Sequence, residues 1–264
     1  MNDFILSPEL LTEFELETPK NYNVKAIVLL VENNRLKDGY SLPMLGKEMK
    51  DWVRDSVNHF DCSFINLNEK DNPVEIVKPF IGEEDYTIVL FSDTPLVKSS
   101  TILETLDYAT TKNLDFCKLP KGFIVASQNF KAGKIEFSAE PNFIDKEDFF
   151  VVFDSLTLAN AKNVLKNRII EKHLKNKVIL NDINSTFIDC QVEIEPFVEI
   201  FSNNVLKGNT VVCEGVKLKE NNVIENSIIK NNAEVFYSVL NNVEVEENAK
   251  IGPFAVLQQN EGDK

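Results

Sequence analysis

Long hydrophobic runs and a secretion signal are both missing from this chain of 264 residues. No apolar run reaches the ~20 residues that a membrane-spanning helix needs. The start of the chain, MNDFILSPELLTEFELE, is acidic and lacks the basic residues and cleavage site of a signal peptide. These absences predict a cytoplasmic protein that has no membrane as a partner.

Cysteine and positive charge are also scarce. The four cysteines (Cys62, Cys117, Cys190 and Cys213) form no CxxC pair, which predicts reduced thiols. The 28 lysine and arginine residues stand against 42 aspartate and glutamate residues. The resulting net charge of −14 argues against nucleic acid as a partner. A small phosphorylated ligand is still compatible with this charge, because its site needs only local donors.

The C-terminal quarter carries an apolar residue at every sixth position. This column consists of Ile188, Ile194, Ile200, Leu206, Val212, Leu218 and Ile224, and after a phase shortened by one residue it continues through Ile229, Val235, Leu240, Val245, Ile251 and Leu257. A second inward column is predicted at Val192, Val198, Val216, Ile228, Ala249 and Ala255. Such a period is typical of a parallel β-helix and not of an α-helix or a flat strand. The alternative is a run of antiparallel hairpins, which need not keep one phase.

The first half of the chain alternates strand patterns with helical patterns. We predict strands at 24–31, 60–66, 87–92, 116–127 and 132–138, and helices at 46–59, 73–81 and 99–111. This alternation predicts an α/β domain with a mostly parallel sheet and helices on both faces. Ligands of such sheets bind at the carboxyl ends of the strands, which here are residues 32–35 and 93–96.

A further helix is predicted between the two halves, with Asp154 or Ser155 as its N-cap. The predicted organisation is an N-terminal extension at 1–22, an α/β domain at 23–154, a linking helix at 155–177 and a β-helix of about four coils at 178–264.

The order and spacing of several segments resemble one known family. They are VKAIVLLV, GKEMKDWV, SDTPL and KGFIV in the first half, and LTLANAKNVLKNRIIEKHLKNKVIL, STFIDCQVEIEPFVEI, LKGNTVV, NSIIKNNAEVFYSVL and AKIGPFA in the second. The chain resembles the bacterial bifunctional N-acetylglucosamine-1-phosphate uridylyltransferase and glucosamine-1-phosphate N-acetyltransferase. The resemblance implies a nucleotidyltransferase-like sheet, a linking helix and a left-handed β-helix.

The first loop departs from the pattern of that family, in which a glycine-rich loop ends in Thr-Arg and a Leu-Pro-Lys segment follows. Backbone N–H groups of such a loop cradle the triphosphate, and Arg and Lys neutralise developing charge. Here the loop reads LLVENNRLKDGYSLPML. Arg35 stands as the candidate catalytic arginine, whereas Met44 replaces the lysine and Glu32 adds a negative charge. We therefore expect impaired or lost uridylyl transfer.

Three further residues match or neighbour family site positions. The resemblance implies that Asp93, in Ser92-Asp93-Thr94-Pro95-Leu96, is a ligand of Mg²⁺ in an active enzyme; alternatively it only opens a turn. The second metal ligand of the family falls on Phe153, so Asp154 is a weak substitute whose more common role is a helix N-cap. Gly122 is similar to a glycine of the substrate-binding sugar loop, and a plain turn is its alternative.

Two functions of different classes remain open. The first is uridylyl transfer from UTP to N-acetylglucosamine-1-phosphate, with weakened catalysis. The second is a non-catalytic sensor or scaffold that binds a sugar nucleotide, a sugar phosphate or a partner subunit. The acetyltransferase site of the family uses coils beyond the IGPFA segment, so we expect no acetyltransferase activity. The family assembles through its β-helix, which implies a homo-oligomer, most simply a trimer.

Overall fold

The computed structural model describes residues 22–32, 35–36 and 39–259. The first part of the chain contains β1 (Val24–Val31), β2 (Pro43–Met44), β3 (Lys47–Glu48), α1 (Met49–Asp55), β4 (Asp61–Leu67), α2 (Pro73–Val77), β5 (Tyr86–Phe91), α3 (Ser99–Thr111), β6 (Phe116–Leu119), β7 (Gly122–Ala126), α4 (Ser127–Lys131) and β8 (Ser138–Ala139). Short 3-10 turns occupy Gly39–Ser41, Lys78–Phe80 and Lys146–Phe149.

A six-stranded mixed sheet with the order β4-β1-β5-β7-β6-β8 forms the centre of the first compact unit. Strand β1 pairs in parallel with β4 and β5, whereas β7 runs antiparallel to β5 and β6. Both faces are covered, because Val28 packs in one hydrophobic cluster with residues of α1 and α3, and Leu29 packs in another with residues of α2 and α4. The prediction of an α/β sheet with helices on both faces is confirmed.

Two strand predictions were wrong. The segment 116–127 is a hairpin of β6 and β7 and not one strand. Apolar residues flank the turn at Pro120 and Lys121 on both sides, so the whole segment was interpreted as one strand. Residues 132–138 form no strand except at Ser138, because the amides of Glu136 and Phe137 are held by the carboxylate of Asp115 at 2.8 Å.

The linking helix α5 (Ser155–Lys175) begins at a complete capping box. The carboxylate of Asp154 accepts a hydrogen bond from the Thr157 amide at 2.8 Å, and the Thr157 hydroxyl accepts one from the Asp154 amide at 3.0 Å. The first compact unit ends at Phe153, and the second starts at Asp154 and also includes Ser41–Glu48. The helix therefore belongs to the same unit as the repeats that follow it.

Short parallel strands stacked in three sheets form the rest of the second unit. They are β9 (Ile179–Leu180), β10 (Phe187–Ile188), β11 (Glu193–Ile194), β12 (Glu199–Ile200), β13 (Val205–Lys207), β14 (Val211–Val212), β15 (Lys217–Leu218), β16 (Val223–Glu225), β17 (Ile228–Ile229), β18 (Glu234–Val235), β19 (Val239–Asn241), β20 (Glu244–Val245), β21 (Lys250–Ile251) and β22 (Val256–Gln258). The sheets are β10-β13-β16-β19-β22, β11-β14-β17-β20 and β21-β18-β15-β12-β9. All of these pairs are parallel, so the β-helix prediction is confirmed and the hairpin alternative is wrong. The arrangement is consistent with the left-handed β-helix that the resemblance implies.

The first predicted inward column is buried from Ile188 to Val245. The second is correct at Val192, Val198 and Val216 but wrong at Ile228, whose side chain is 43% exposed. The shortened phase begins before this residue, so the buried position of that coil is taken by Ser227. Ile228 therefore points away from the core.

Asparagines form the corners of the β-helix in two different ways. Asn203 and Asn221 adopt positive φ, which suits a tight turn. Asn204 and Asn222, one residue later, are completely buried. The amide nitrogen of Asn222 donates to the carbonyls of Lys219 and Val235 at 2.7 and 3.1 Å, so its polar group satisfies backbone groups of two successive coils.

Within the described part of the chain, no helix is both long and apolar enough to cross a bilayer.

Candidate functional site

The carboxyl end of β5 delivers Asp93 to the edge of the sheet at which ligands of such folds bind. The Ser92 amide donates to the carbonyl of Leu29 at 2.9 Å, and the Ser92 hydroxyl accepts from the Val31 amide at 2.9 Å. The Asp93 carbonyl in turn accepts from the Val152 amide at 2.8 Å. These bonds fix the backbone on both sides of the carboxylate, so Asp93 is held in place by the ends of β1 and β5.

Lys121 reaches the same edge from the tip of the β6–β7 hairpin. Because β7 runs antiparallel to β5, the pairing of Gly122 with Leu90 brings the hairpin tip beside the end of β5. Gly122 has φ +134°, and a Cβ atom there would lie 2.5 Å from the carbonyl oxygen of Val89. Glycine at this position therefore allows the close approach of the two strands, which places Lys121 next to Asp93.

An ion pair joins these two side chains. The Nζ atom of Lys121 lies 2.5 Å from Oδ2 of Asp93, and it also lies 5.4 Å from the centre of the Phe91 ring. The Asp93 side chain is only 9% exposed, and burial raises the pKa of its carboxyl above the usual value although the lysine opposes this. Its other oxygen, Oδ1, is buried and has no hydrogen-bond partner among the described residues.

The surroundings of Asp93 do not fit a resident Mg²⁺. Such an ion takes several oxygen ligands, usually one or two carboxylates with waters and substrate phosphates. Lys121 already supplies a positive charge at one oxygen of Asp93, and only Oδ1 is left for any other cation.

The other predicted site residues lie in different settings. Arg35 and Glu32 are both exposed, and Asn33 and Asn34 of the same loop lie outside the described residues. Met44, which stands where the family has a lysine, is completely buried. Asp154 serves as the N-cap of α5, so its carboxylate is already used by Thr157. Gly122 contributes no side chain to the site, and its backbone conformation lets β7 approach β5 closely.

Sequence reasoning missed Lys121 as a functional residue. The partner of its side chain lies 28 positions away in the chain, and only the strand order of the sheet brings the two together. A lysine at a hairpin tip, directly before a glycine similar to that of the family's sugar loop, was the available signal.

No family model matches the chain. Curated relatives do match it. The Bifunctional protein GlmU of Caldanaerobacter subterraneus subsp. tengcongensis is 39% identical over 114 residues, which is 43% of this chain and 25% of that protein. The Bifunctional protein GlmU of Clostridium acetobutylicum is 29% identical over 247 residues, which is 92% of this chain and 48% of that protein. The matches thus span between a quarter and about half of the length of these relatives.

Two solved structures are also similar. A molybdopterin-guanine dinucleotide biosynthesis protein A from Archaeoglobus fulgidus has a TM-score of 0.41 and 12% identity, covering 54% of this chain and 99% of its own. A CMP:2-keto-3-deoxy-manno-octonic acid synthetase complexed with CTP has a TM-score of 0.40 and 11% identity, covering 55% of this chain and 99% of its own. The curated relatives confirm the resemblance that the sequence motifs predicted. This chain resembles the Bifunctional protein GlmU over most of its length.

Proposed function

We propose that this protein is a nucleotidyltransferase-like chain that binds a sugar nucleotide or sugar phosphate at the carboxyl end of β5, with uridylyl transfer very slow or absent. The observation that supports this most directly is the ion pair between Lys121 and Asp93. The carboxylate that the family resemblance assigns to a metal is paired here with a cation of the protein itself.

The number of missing catalytic features, and the rate that each one contributes, predict that little catalysis is left. Removal of one preorganised donor typically lowers a rate by about 10²–10³. This chain lacks the glycine-rich loop, the lysine replaced by Met44 and the second metal ligand of the family. Even if such effects are not additive, their combination leaves little turnover. Lys121 is still suited to hold a phosphate oxygen, because its side chain is 26% exposed and its ammonium carries three donors.

A scaffold role within an oligomer is the second candidate, and one surface of the β-helix favours it. Val223, Val239 and Val256 are register partners that point outward from one sheet, and they are 37%, 43% and 72% exposed. Another sheet presents Lys217, Glu234 and Lys250 at the corresponding positions. A homotrimer would bury the valine column, since exposed apolar columns of this kind mark interaction surfaces.

A direct assay tests the proposed function. Purified protein with UTP, N-acetylglucosamine-1-phosphate and Mg²⁺ should release pyrophosphate very slowly or not at all, whereas UDP-N-acetylglucosamine should raise the melting temperature. Turnover near the ~10 s⁻¹ median of enzymes would contradict the proposal. If slow turnover is present, Asp93→Ala should abolish it.

A matched pair of variants separates ligand binding from stability. Lys121→Gln should remove the thermal stabilisation by UDP-N-acetylglucosamine, whereas Lys118→Gln, on the same hairpin but paired with Glu140, should keep it. Equal stabilisation in both variants would rule out a phosphate contact at Lys121.

A further inference from the structure

We infer that a lysine-lined pocket between α5 and the first coil of the β-helix binds a small phosphomonoester. This site lies wholly within the second compact unit and is independent of the function proposed for Asp93 and Lys121. The pocket has a volume of about 270 Å³, and its lining includes Leu45, Lys162, Lys166, Asp189, Val205 and Lys207.

The pocket is built from three parts of the chain that are firmly connected. Lys162 and Lys166 lie one turn apart on α5, and Phe187 and Val205 are register partners on β10 and β13. Leu45 belongs to the turn between β2 and β3, and its carbonyl accepts a hydrogen bond from the Cys190 amide at 3.0 Å. The same turn is held by a bond from the Gln191 side chain to the carbonyl of Gly46.

Lys166 is the buried cation of this pocket. The whole residue is only 8% exposed, and its Nζ atom donates to the carbonyl of Asn184 at 2.5 Å and lies 4.2 Å from the centre of the Phe187 ring. An ammonium has three donors, so one carbonyl bond leaves two for a ligand. Burial lowers the pKa of Lys166, which means that a nearby anion would relieve an unfavourable desolvation.

The charges of the pocket favour an anion. Its lining contains Lys162, Lys166 and Lys207 against the single carboxylate of Asp189, which gives 3 − 1 = +2 in a protein whose net charge is −14. Asp182 also lies near Lys166, and bonds from the Ser185 hydroxyl at 2.6 Å and the Asn184 amide at 2.9 Å lower the pKa of its carboxyl and keep it ionised. With this second carboxylate counted, positive charge around the pocket still exceeds negative charge, by 3 − 2 = +1. A phosphomonoester carries a charge of about −1.5 to −2 at pH 7 and is the matching class of ligand.

The volume and the apolar lining of the pocket limit the part of the ligand that is attached to the phosphate. A volume of about 270 Å³ suits a phosphate group with a compact body such as one sugar ring. Leu45 and Val205 provide an apolar wall for that body. Lysine ammonium groups bind phosphate as point charges, so the pocket specifies the charge of the ligand more than its orientation.

Calorimetry and hydrogen–deuterium exchange on the full chain test this inference, with glucose 1-phosphate, inorganic phosphate and glucose as probes. Glucose 1-phosphate and inorganic phosphate should bind, and glucose should not. Glucose 1-phosphate should slow exchange in peptides covering residues 41–48 and 187–207. Protection confined to residues 91–95 and 119–123 would overturn the inference, although it would support the function proposed at Asp93. Equal binding of glucose and glucose 1-phosphate, or no binding of either phosphate probe, would overturn it as well.

Matched variants keep the test independent of folding. The double change Lys162→Gln and Lys207→Gln should weaken binding of glucose 1-phosphate at least tenfold, because each lysine contributes a charge-assisted contact. The control double change Lys172→Gln and Lys217→Gln removes two exposed lysines outside the pocket and should alter affinity less than twofold.

Asp189→Asn should act in the opposite direction. It removes the opposing charge and keeps an oxygen that can accept the 3.3 Å bond from the Gly208 amide, so affinity should increase about threefold. Unchanged affinity in both the double lysine variant and Asp189→Asn would assign the bound phosphate to another part of the protein and refute the pocket.

Discussion

Lys121 places its ammonium nitrogen 2.5 Å from a carboxylate oxygen of Asp93, across 28 positions of sequence. The carboxylate is almost completely buried and the lysine is only partly exposed, so water screens the pair weakly. A second lysine of the same hairpin, Lys118, forms a 3.0 Å pair with Glu140 in which both side chains are more than half exposed. The two pairs therefore allow a controlled comparison.

Lys121→Met should destabilise the protein by about 2–3 kcal/mol at pH 7, because it leaves the Asp93 carboxylate buried without its cation. Lys118→Met should cost less than about 1 kcal/mol, as expected for an exposed pair. Urea denaturation of the three proteins measures both values. Equal destabilisation by the two substitutions would show that the Asp93 pair contributes no more than a surface contact.

Asn222→Ala should destabilise the β-helix by about 2–4 kcal/mol. The change leaves a cavity and removes donors to the carbonyls of two successive coils, together with the acceptor of the Ser238 amide at 3.1 Å. Asn231→Ala, at an exposed position of the same region, should change stability by less than about 0.5 kcal/mol. Thermal unfolding of both variants tests the difference, and similar melting temperatures would contradict the role assigned to the buried amide.

His173 should make stability depend on pH in acid. Burial is the main cause that lowers the pKa of this residue from 6.5 to about 4, and Lys172 adds to it. The unfolded chain therefore binds more protons than the folded one between these values. The stabilisation is fully present above pH 6.5 and is lost as the pH falls towards 4, with a total of about 3 kcal/mol.

The measurement is the unfolding free energy of the wild type and of His173→Leu between pH 7 and pH 4. The wild type should lose about 3 kcal/mol more than the variant over this range. His59→Leu, which changes an exposed histidine, serves as the control variant. Parallel curves for wild type and His173→Leu would mean that His173 is protonated in the folded protein as easily as in the unfolded one.

The oligomer proposal predicts a mass well above the 30.0 kDa of one chain in light scattering at micromolar concentration. A monomer would refute it. Val239→Glu should dissociate the oligomer, since it places a charge in the exposed valine column, whereas Lys250→Glu on another sheet should not. Tyr237→Glu tests the neighbouring aromatic pair, in which the rings of Tyr237 and Phe254 lie 6.1 Å apart.

Sequence patterns predicted those elements whose burial is periodic or continuous. Strand β1 is an apolar run with both faces buried, and its predicted bounds are the observed ones. The shortened phase at Ile229 was predicted from the spacing of apolar residues, and Ile229, Leu240 and Val245 are buried as expected. The cap of α5 was visible because Asp154 and Thr157 form a local motif.

These patterns did not predict features that depend on residues far apart in the sequence. The pairing of Lys121 with Asp93 requires the strand order of the sheet, and the turn at Pro120 is hidden in an apolar run. Ile228 was placed inside because its hydrophobicity suits a core, whereas the buried position belongs to the polar Ser227. Small polar residues can occupy buried corner positions of a β-helix when they form hydrogen bonds with backbone groups. A search for periodic hydrophobic residues does not find such positions.

The spacing of the β-helix strands has a consequence for insertions and deletions. The side that runs from Val205 to Val211 takes 211 − 205 = 6 residues, whereas the side stacked on it, from Val223 to Ile228, takes 228 − 223 = 5. Thr210 and Ser227 are both fully buried and directly precede the paired strands β14 and β17, so they are equivalent. Gly208 and Asn226 both have positive φ and are equivalent at the corner. Asn209 is therefore the additional residue of the longer side. Loss of an exposed residue such as Asn209 preserves which side chains point inward, whereas loss of a residue within a strand would reverse them. Length variation in this family of coils can therefore accumulate one residue at a time, provided that it falls at the corners.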